Sequence, residues 1–124
     1  NWEREAMLWA PELITKVVRP SLKDREETWA KALKDANVVI TSYEQIRNKI
    51  QAFDDSPLQL VIADEAHRLR KSSAQATKGF RKIRTDRFWA LSGTPIENSP
   101  EDIATLLSLL YPKKFSPRNK NDRL

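Results

Sequence analysis

The chain has 124 residues, the size of one domain or part of one, and its 40% hydrophobic content with four Trp, four Phe and two Tyr is enough to pack a core. Without cysteine, disulfide and thiolate chemistry are excluded, and a single histidine leaves a zinc site short of ligands. No apolar run approaches membrane-spanning length and no signal-peptide pattern is visible, so an intracellular protein with no membrane partner is expected.

The net charge of +5 is unevenly placed. Asn1 to His67 carries 9 basic and 12 acidic residues, and Arg68 to Arg87 carries 8 basic and 1 acidic. Phe88 to Tyr111 has no basic and 3 acidic residues, and Pro112 to Leu124 has 5 basic and 1 acidic. Basic clusters of this kind are a footprint of phosphate-backbone binding. The plain alternative is a solvated helix face and a frayed terminus.

In chain order, Asn1 is placed to cap a helix with Trp2, Ala6 and Trp9 on one face, stopped before Pro11. Leu13 to Val18 reads as a strand. Leu22 to Ala36 reads as a helix with Leu22, Trp29, Leu33 and Ala36 on one stripe. Val38 to Thr41 is a short β-branched strand, and Ser42 is placed to cap a helix whose inward face is Tyr43, Ile46, Ile50 and Phe53. Asp54 to Pro57 reads as a turn. Leu60 to Ala63 reads as a central strand buried on both faces. Ser72 or Ser73 opens a basic helix with Ala76, Phe80 and Ile83 inward, and Phe88 to Ser92 is the next strand. Ser99-Pro100-Glu101-Asp102 is a strong helix start, followed by Ile103, Leu106, Leu107 and Leu110 at amphipathic spacing. Beyond Phe115 the sequence is polar and basic and is expected to be mobile. Helices alternating strictly with strands over short connections predict an α/β fold: a parallel sheet with helices on both faces. The chain opens on a helix where such a fold would have a strand, so it reads as the later part of a doubly wound domain.

The chemistry concentrates at two strand ends. The Leu60 strand runs into Asp64-Glu65-Ala66-His67, and the Phe88 strand runs into Gly93-Thr94-Pro95. Open α/β sheets bind ligands at the carboxyl ends of their strands. An acid there suits Mg²⁺, which takes oxygen ligands and keeps much of its water, and a second acid can orient or deprotonate an attacking water. Two solvated acids beginning a loop would look the same. The lone histidine, His67, is by itself more often structural than catalytic. Its three-residue step from Asp64 lets it sit behind the carboxylates and reach the hydroxyls of Ser92 and Thr94.

Asp64-Glu65-Ala66-His67 followed by Ser92-Gly93-Thr94-Pro95 resembles motifs II, a DEAH box, and III of helicase superfamily two. Asn1 to Glu5 with Trp9-Ala10-Pro11, Thr41-Ser42-Tyr43-Glu44, Asp64 to Lys71, and Leu91 to Ser99 resemble, in order, the blocks of the Swi/Snf-family helicase-like ATPases. The likeness runs from Asn1 to about Phe115. It implies a partial RecA-like three-layer sandwich over residues 1–115, with a basic tail over 116–124. Asp64 would bind the Mg²⁺ of MgATP, Glu65 would be the hydrolytic base, and His67 would link the ATP site to Ser92, Gly93, Thr94 and Pro95, which couple hydrolysis to movement between lobes. Thr41, Ser42 and Tyr43 match the block that touches the tracked DNA strand, where hydroxyls and backbone N–H groups position phosphates without reading sequence. For Tyr43, packing on its helix stripe remains an equal reading. Trp2 and Glu5 match the opening helix in a structural role.

Arg70 and Lys71 stand where the family usually has Lys-Asn; with Arg68 they keep a phosphate-facing positive charge. Glu97 replaces a frequent Gln, and Ser92 a frequent Thr, keeping the hydroxyl. A glycine-rich phosphate loop is absent from these residues, and so is the second RecA-like lobe that would bring arginines to the γ-phosphate. The implied protein is a double-stranded-DNA-dependent ATPase and translocase of Swi/Snf type using ATP and Mg²⁺, with this stretch inactive alone. Its partners would be duplex DNA, the second lobe, and chromatin or another DNA-bound protein. It would be nuclear in a eukaryote and cytoplasmic in a prokaryote. Another superfamily-two motor, or a degenerate scaffold, are the alternatives.

Overall fold

The computed structural model describes residues 1–19, 23–47, 50–69, 75–93 and 100–112. The elements run α1 (Trp2–Trp9), β1 (Thr15–Val17), α2 (Arg25–Asp35), β2 (Val38–Ile40), a 3₁₀ turn (Tyr43–Ile46), α3 (Ala52–Asp55), β3 (Leu58–Ala63), a second 3₁₀ turn (Ala66–Leu69), α4 (Gln75–Phe80), β4 (Thr85–Ala90) and α5 (Pro100–Leu110). Helices and parallel strands alternate, the α/β arrangement that the sequence predicts. No described helix is long and apolar enough to cross a membrane. The expected helix start at Ser72 or Ser73 and the basic tail lie outside the described residues.

Among the described residues the strands form two parallel pairs, β1 with β2 and β3 with β4. In the first pair Thr15 lies opposite Val38 and Val17 opposite Ile40. Asn37 fixes its start: its Oδ1 accepts from the Ile14 N–H at 2.8 Å, and its own N–H donates to the Ile14 carbonyl at 2.8 Å. In the second pair Val61 lies opposite Phe88 and Ala63 opposite Ala90. Helices α2 and α4 are the crossovers that parallel pairing requires.

Two apolar clusters hold the chain. One gathers Val18, Trp29, Ala32, Ile50, Ala52 and Phe53, with Trp29 and Phe53 edge to face at 5.0 Å. The other gathers Ile46, Ala63, Ala66, Leu69, Phe80 and Leu106, and Phe80 packs edge-on to Phe88 at 5.7 Å. Ile83 packs against both. The single helix expected after Ser42 is two pieces, and the clusters explain why. Ile46 belongs to one cluster while Ile50 and Phe53 belong to the other, and one straight stripe cannot serve both. The break puts Asp54 and Asp55 at the end of α3 instead of in a turn. The first turn of α2 pins this segment: the Arg25 guanidinium donates to the Gln45 carbonyl, and Glu26 accepts from the Gln51 N–H at 3.0 Å.

Three other expectations are corrected. Helix α1 buries none of its residues, Trp9 is 77% exposed, and Asn1, though at the N-cap, makes no side-chain capping bond. Helix α5 buries Leu106 and Ser108 and packs Leu109, rather than Leu107, on the core; Ser108 Oγ accepts from Arg81 at 3.1 Å and donates to the Thr105 carbonyl at 2.7 Å. Strand β3 is buried on one face only. Val61 and Ala63 face the core, while Leu60 (37% exposed), Ile62 (47%) and, beside Ile62 on β4, Trp89 (55%) form an open apolar face. Only the start of that face is covered: Leu58, in the same alternation as Leu60 and Ile62, packs on the first cluster.

The tightest approach in the fold is α4 on the first 3₁₀ turn. A Cβ on Gly79 would stand 1.8 Å from the Ile46 carbonyl oxygen, a backbone atom that cannot swing aside. Gly79 is therefore required by space, with no positive φ involved. Gly79→Ala is expected to destabilise the chain by about 1–3 kcal/mol, the usual cost of overpacking. A urea unfolding midpoint equal to that of the parent would contradict this packing.

Candidate active site

The site begins where β3 stops. Leu91 N–H donates to the Ala63 carbonyl at 2.9 Å, and Ala66 N–H donates to the Leu91 carbonyl at 2.8 Å, so the ladder continues past both strands. Between these two bonds sit Asp64 and Glu65. Glu65 is in the left-handed region, with φ of 49°, the only non-glycine there among the described residues. For an L-residue this costs roughly 1–2 kcal/mol. It bends the chain from strand into the 3₁₀ turn, closed by Arg68 N–H on the Glu65 carbonyl at 3.0 Å. Ala66 and Leu69 are fully buried, which leaves His67 and Arg68 on the outer side of that turn.

Each carboxylate then takes a different neighbour. Asp64 Oδ1 accepts from the Glu65 N–H at 2.9 Å, and Oδ2 accepts from the Trp2 indole N–H at 2.8 Å. Glu65 Oε2 lies 3.2 Å from His67 Nδ1. The same nitrogen is 3.4 Å from Ser92 Oγ at the end of β4. With its proton on Nδ1, His67 donates to Glu65; with the proton on Nε2, Nδ1 can accept from the Ser92 hydroxyl. The expected reach from His67 to the neighbouring strand end is present at Ser92. Gly93 follows, with nothing near the position a Cβ would take. Thr94, Pro95, Arg70 and Lys71 lie outside the described residues.

The Thr41-Ser42-Tyr43 block is adjacent, and two of its hydroxyls bond within the chain. Thr41 Oγ1 donates to the Val18 carbonyl at 2.9 Å, a bond that ties β2 to β1. Ser42 is exposed and extended, and its side chain makes no capping bond. Of the two readings weighed for Tyr43, packing is the one seen here, and the side chain makes two further contacts. Its ring packs on Phe80 at 5.6 Å, the Arg68 guanidinium lies over it at 5.6 Å, and its hydroxyl donates to the Asp64 main-chain carbonyl at 2.5 Å.

Sequence reasoning assigned Trp2 to structure and did not connect it to Asp64. The two are 62 residues apart and no spacing rule links them. The left-handed Glu65 had a signal: two adjacent acids at a strand end can only be redirected by a sharp turn. Asp64 supplies hard oxygen donors, and each oxygen has one hydrogen bond and keeps a lone pair. The described residues contain no group of three side chains able to hold a metal by themselves. A cation at Asp64 would therefore depend on water and phosphate oxygens for most of its shell, which is how Mg²⁺ is commonly bound. The acids stand at the surface. The groove between β1 and α2, lined by Lys16, Asp24, Glu27 and Lys31 among others, includes none of them.

Burial, then the nearby charge of Asp64, pushes the Tyr43 phenol up from 10.0 to about 12, with Glu65 adding to the rise and Arg68 opposing it. An acid whose folded value is raised keeps its proton when the unfolded chain has lost it. The folded state therefore loses stability as pH climbs from 10 towards 12 through this group. Comparing the phenolate absorbance of the parent with Tyr43→Phe should assign a titration near pH 12 to Tyr43; a difference step near pH 10 would contradict the burial of this phenol beside Asp64.

Residues 1–123 match the model of the SNF2-related domain. Over 99 residues the chain is 37% identical to the helicase-like transcription factor of Mus musculus, covering 76% of this chain and 10% of the relative. Over 118 residues it is 30% identical to the ISWI chromatin-remodeling complex ATPase ISW1 of Saccharomyces cerevisiae, covering 94% of this chain and 10% of that protein. The chain thus spans about a tenth of the length of these curated relatives. Among solved structures, the Sulfolobus solfataricus SWI2/SNF2 ATPase core in complex with dsDNA superposes with a TM-score of 0.75 at 24% identity, over 91% of this chain and 23% of that one. That likeness carries the RecA-like fold. With the family model matched along almost its whole length, the chain belongs to the SNF2-related domain family of helicase-like ATPases.

Proposed function

We propose that residues 1–115 are the later part of the first RecA-like lobe of a double-stranded-DNA-dependent ATPase and translocase, with 116–124 a basic tail. The observation that carries this reading is the strand-end pair itself. Asp64 and Glu65 stand exposed on a forced turn, and His67 reaches from Glu65 to Ser92 on the adjacent strand end. A scaffold has no use for two solvated acids at that point, nor for a left-handed glutamate.

In this reading Asp64 holds the Mg²⁺ of MgATP, and Mg²⁺ supplies charge neutralisation on the phosphates. Glu65 accepts the proton of the attacking water. His67 holds Glu65 in place and reports its state to Ser92, which with Gly93, Thr94 and Pro95 forms the motif that couples hydrolysis to movement between lobes. The exposed Ser42 and Arg68 would contact the phosphates of one DNA strand, with Arg70 and Lys71 adding positive charge to the same role. Thr41 and Tyr43 fix that segment through bonds to Val18 and Asp64. The solved SWI2/SNF2 core named above was obtained with dsDNA, and the yeast relative is a chromatin-remodeling ATPase; both support duplex DNA as the track and chromatin or another DNA-bound protein as the target. In a eukaryote such a protein works in the nucleus.

The 124 residues hold two glycines, Gly79 and Gly93, and no Gly-rich Lys-Ser/Thr phosphate loop. The phosphate-gripping half of the site therefore belongs to other residues of a longer polypeptide, and the chain alone does not hydrolyse ATP. ATPase assays of the longer polypeptide with duplex DNA, single-stranded DNA and RNA should show the strongest stimulation by duplex DNA, and the 124 residues alone should show none. RNA-selective stimulation, or DNA-stimulated turnover by the 124 residues, would overturn the proposal.

A further inference from the structure

Asp64 is held at three atoms by three donors. The Glu65 N–H takes Oδ1, the Trp2 indole N–H takes Oδ2, and the Tyr43 hydroxyl takes the main-chain carbonyl. The first donor is local. The other two come from α1 and from the first 3₁₀ turn, 62 and 21 residues away. We infer that Trp2 and Tyr43 are positioning residues for Asp64, forming a neutral clamp that aims its carboxylate at a bound divalent cation. The inference rests on the proposed role of Asp64 as the metal-side acid.

Packing accounts for only part of Trp2: no residue of its helix is fully buried, and its own side chain is about half exposed. What the indole contributes is a donor in a fixed direction. An indole N–H can donate but cannot accept or ligate, so it cannot become a metal ligand in its own right. It is also uncharged. A lysine or arginine in its place would orient Asp64 equally well, yet would cancel the negative charge the cation needs. Tyr43 meets the same requirement from the other side: a phenol hydroxyl is a neutral donor at pH 7, and it is bonded to the Asp64 carbonyl. Two neutral donors restrain the carboxylate and its peptide while leaving one full negative charge and a lone pair on each oxygen. Outer-shell hydrogen bonds of this type are typically worth about 10–100-fold in metal affinity or activity.

The test uses the 124-residue chain labelled with ¹⁵N, with Mn²⁺ as a paramagnetic stand-in for Mg²⁺ and pyrophosphate to supply the phosphate oxygens of its shell. Four indole N–H signals are expected from Trp2, Trp9, Trp29 and Trp89, and Trp2→Phe identifies the first by its loss. Asp64→Asn should move the Trp2 signal and leave that of buried Trp29 in place. Mn²⁺ should broaden the Trp2 signal selectively in the parent and not in Asp64→Asn. Trp2→Phe and Tyr43→Phe, which keep their rings, should each weaken Mn²⁺ binding about ten-fold with the Trp29 signal unchanged. Parental Mn²⁺ affinity in both phenylalanine variants, with binding lost in Asp64→Asn, would overturn the clamp and leave the functional reading standing. Mn²⁺ binding identical in the parent and Asp64→Asn would overturn the assignment of Asp64, and the clamp with it.

Discussion

The parallel ladder between β3 and β4 is the constraint on which the site depends. It does not stop with the strands: Leu91 reaches back to Ala63, and Ala66 reaches across to Leu91. Those two backbone bonds leave Asp64 and Glu65 no room to continue as strand, and the left-handed Glu65 is the consequence. The same two bonds bring the end of β4 alongside, so that His67 has both Glu65 and Ser92 within reach of one nitrogen. Backbone pairing, buried Ala66 and buried Leu69 thus set the position of three side chains that themselves bury little.

The core is arranged to deliver the neighbouring segment to the same place. Splitting the stretch after Ser42 between two clusters keeps Ile46 under Phe80 and turns Tyr43 towards the acids. Gly79 permits the close approach, and Arg25 and Glu26 fasten the far side. Tyr43 thereby joins a segment proposed to meet DNA to the acid proposed to meet metal through a single hydroxyl. The opposite face of the β3–β4 pair, with Leu60, Ile62 and Trp89, is apolar and open. Parallel sheets are ordinarily covered on both sides, so this face fits a lobe completed by residues of a longer polypeptide.

Most of the fold was legible because it follows local rules. β-branched runs gave the strands, and Pro100 at the first position of α5 marked a helix start. Strict alternation gave the parallel pairing. Expectation failed where tertiary contacts outweighed local pattern. The stripe Tyr43, Ile46, Ile50 and Phe53 has helical spacing, yet its members serve two clusters. The stripe Trp2, Ala6 and Trp9 reads as a core face, yet Trp9 bonds only along its own helix, to Glu5 at 3.0 Å, and Trp2 reaches Asp64. At the site, Asp64, Glu65 and His67 stood out by residue type at a strand end. The partners that hold Asp64 did not, because a hydrogen bond across 62 residues leaves no trace in spacing.

If the strand end is the hydrolytic half of an ATPase site, binding and turnover should separate at Glu65. The direct measurement is single-turnover ATP hydrolysis by the longer polypeptide carrying Glu65→Gln, with nucleotide affinity determined on the same sample. Loss of a catalytic base predicts nucleotide affinity close to that of the parent and a hydrolysis rate lower by about 10²–10⁴-fold. Hydrolysis at the parental rate would show that Glu65 is one more solvated acid at the start of a loop.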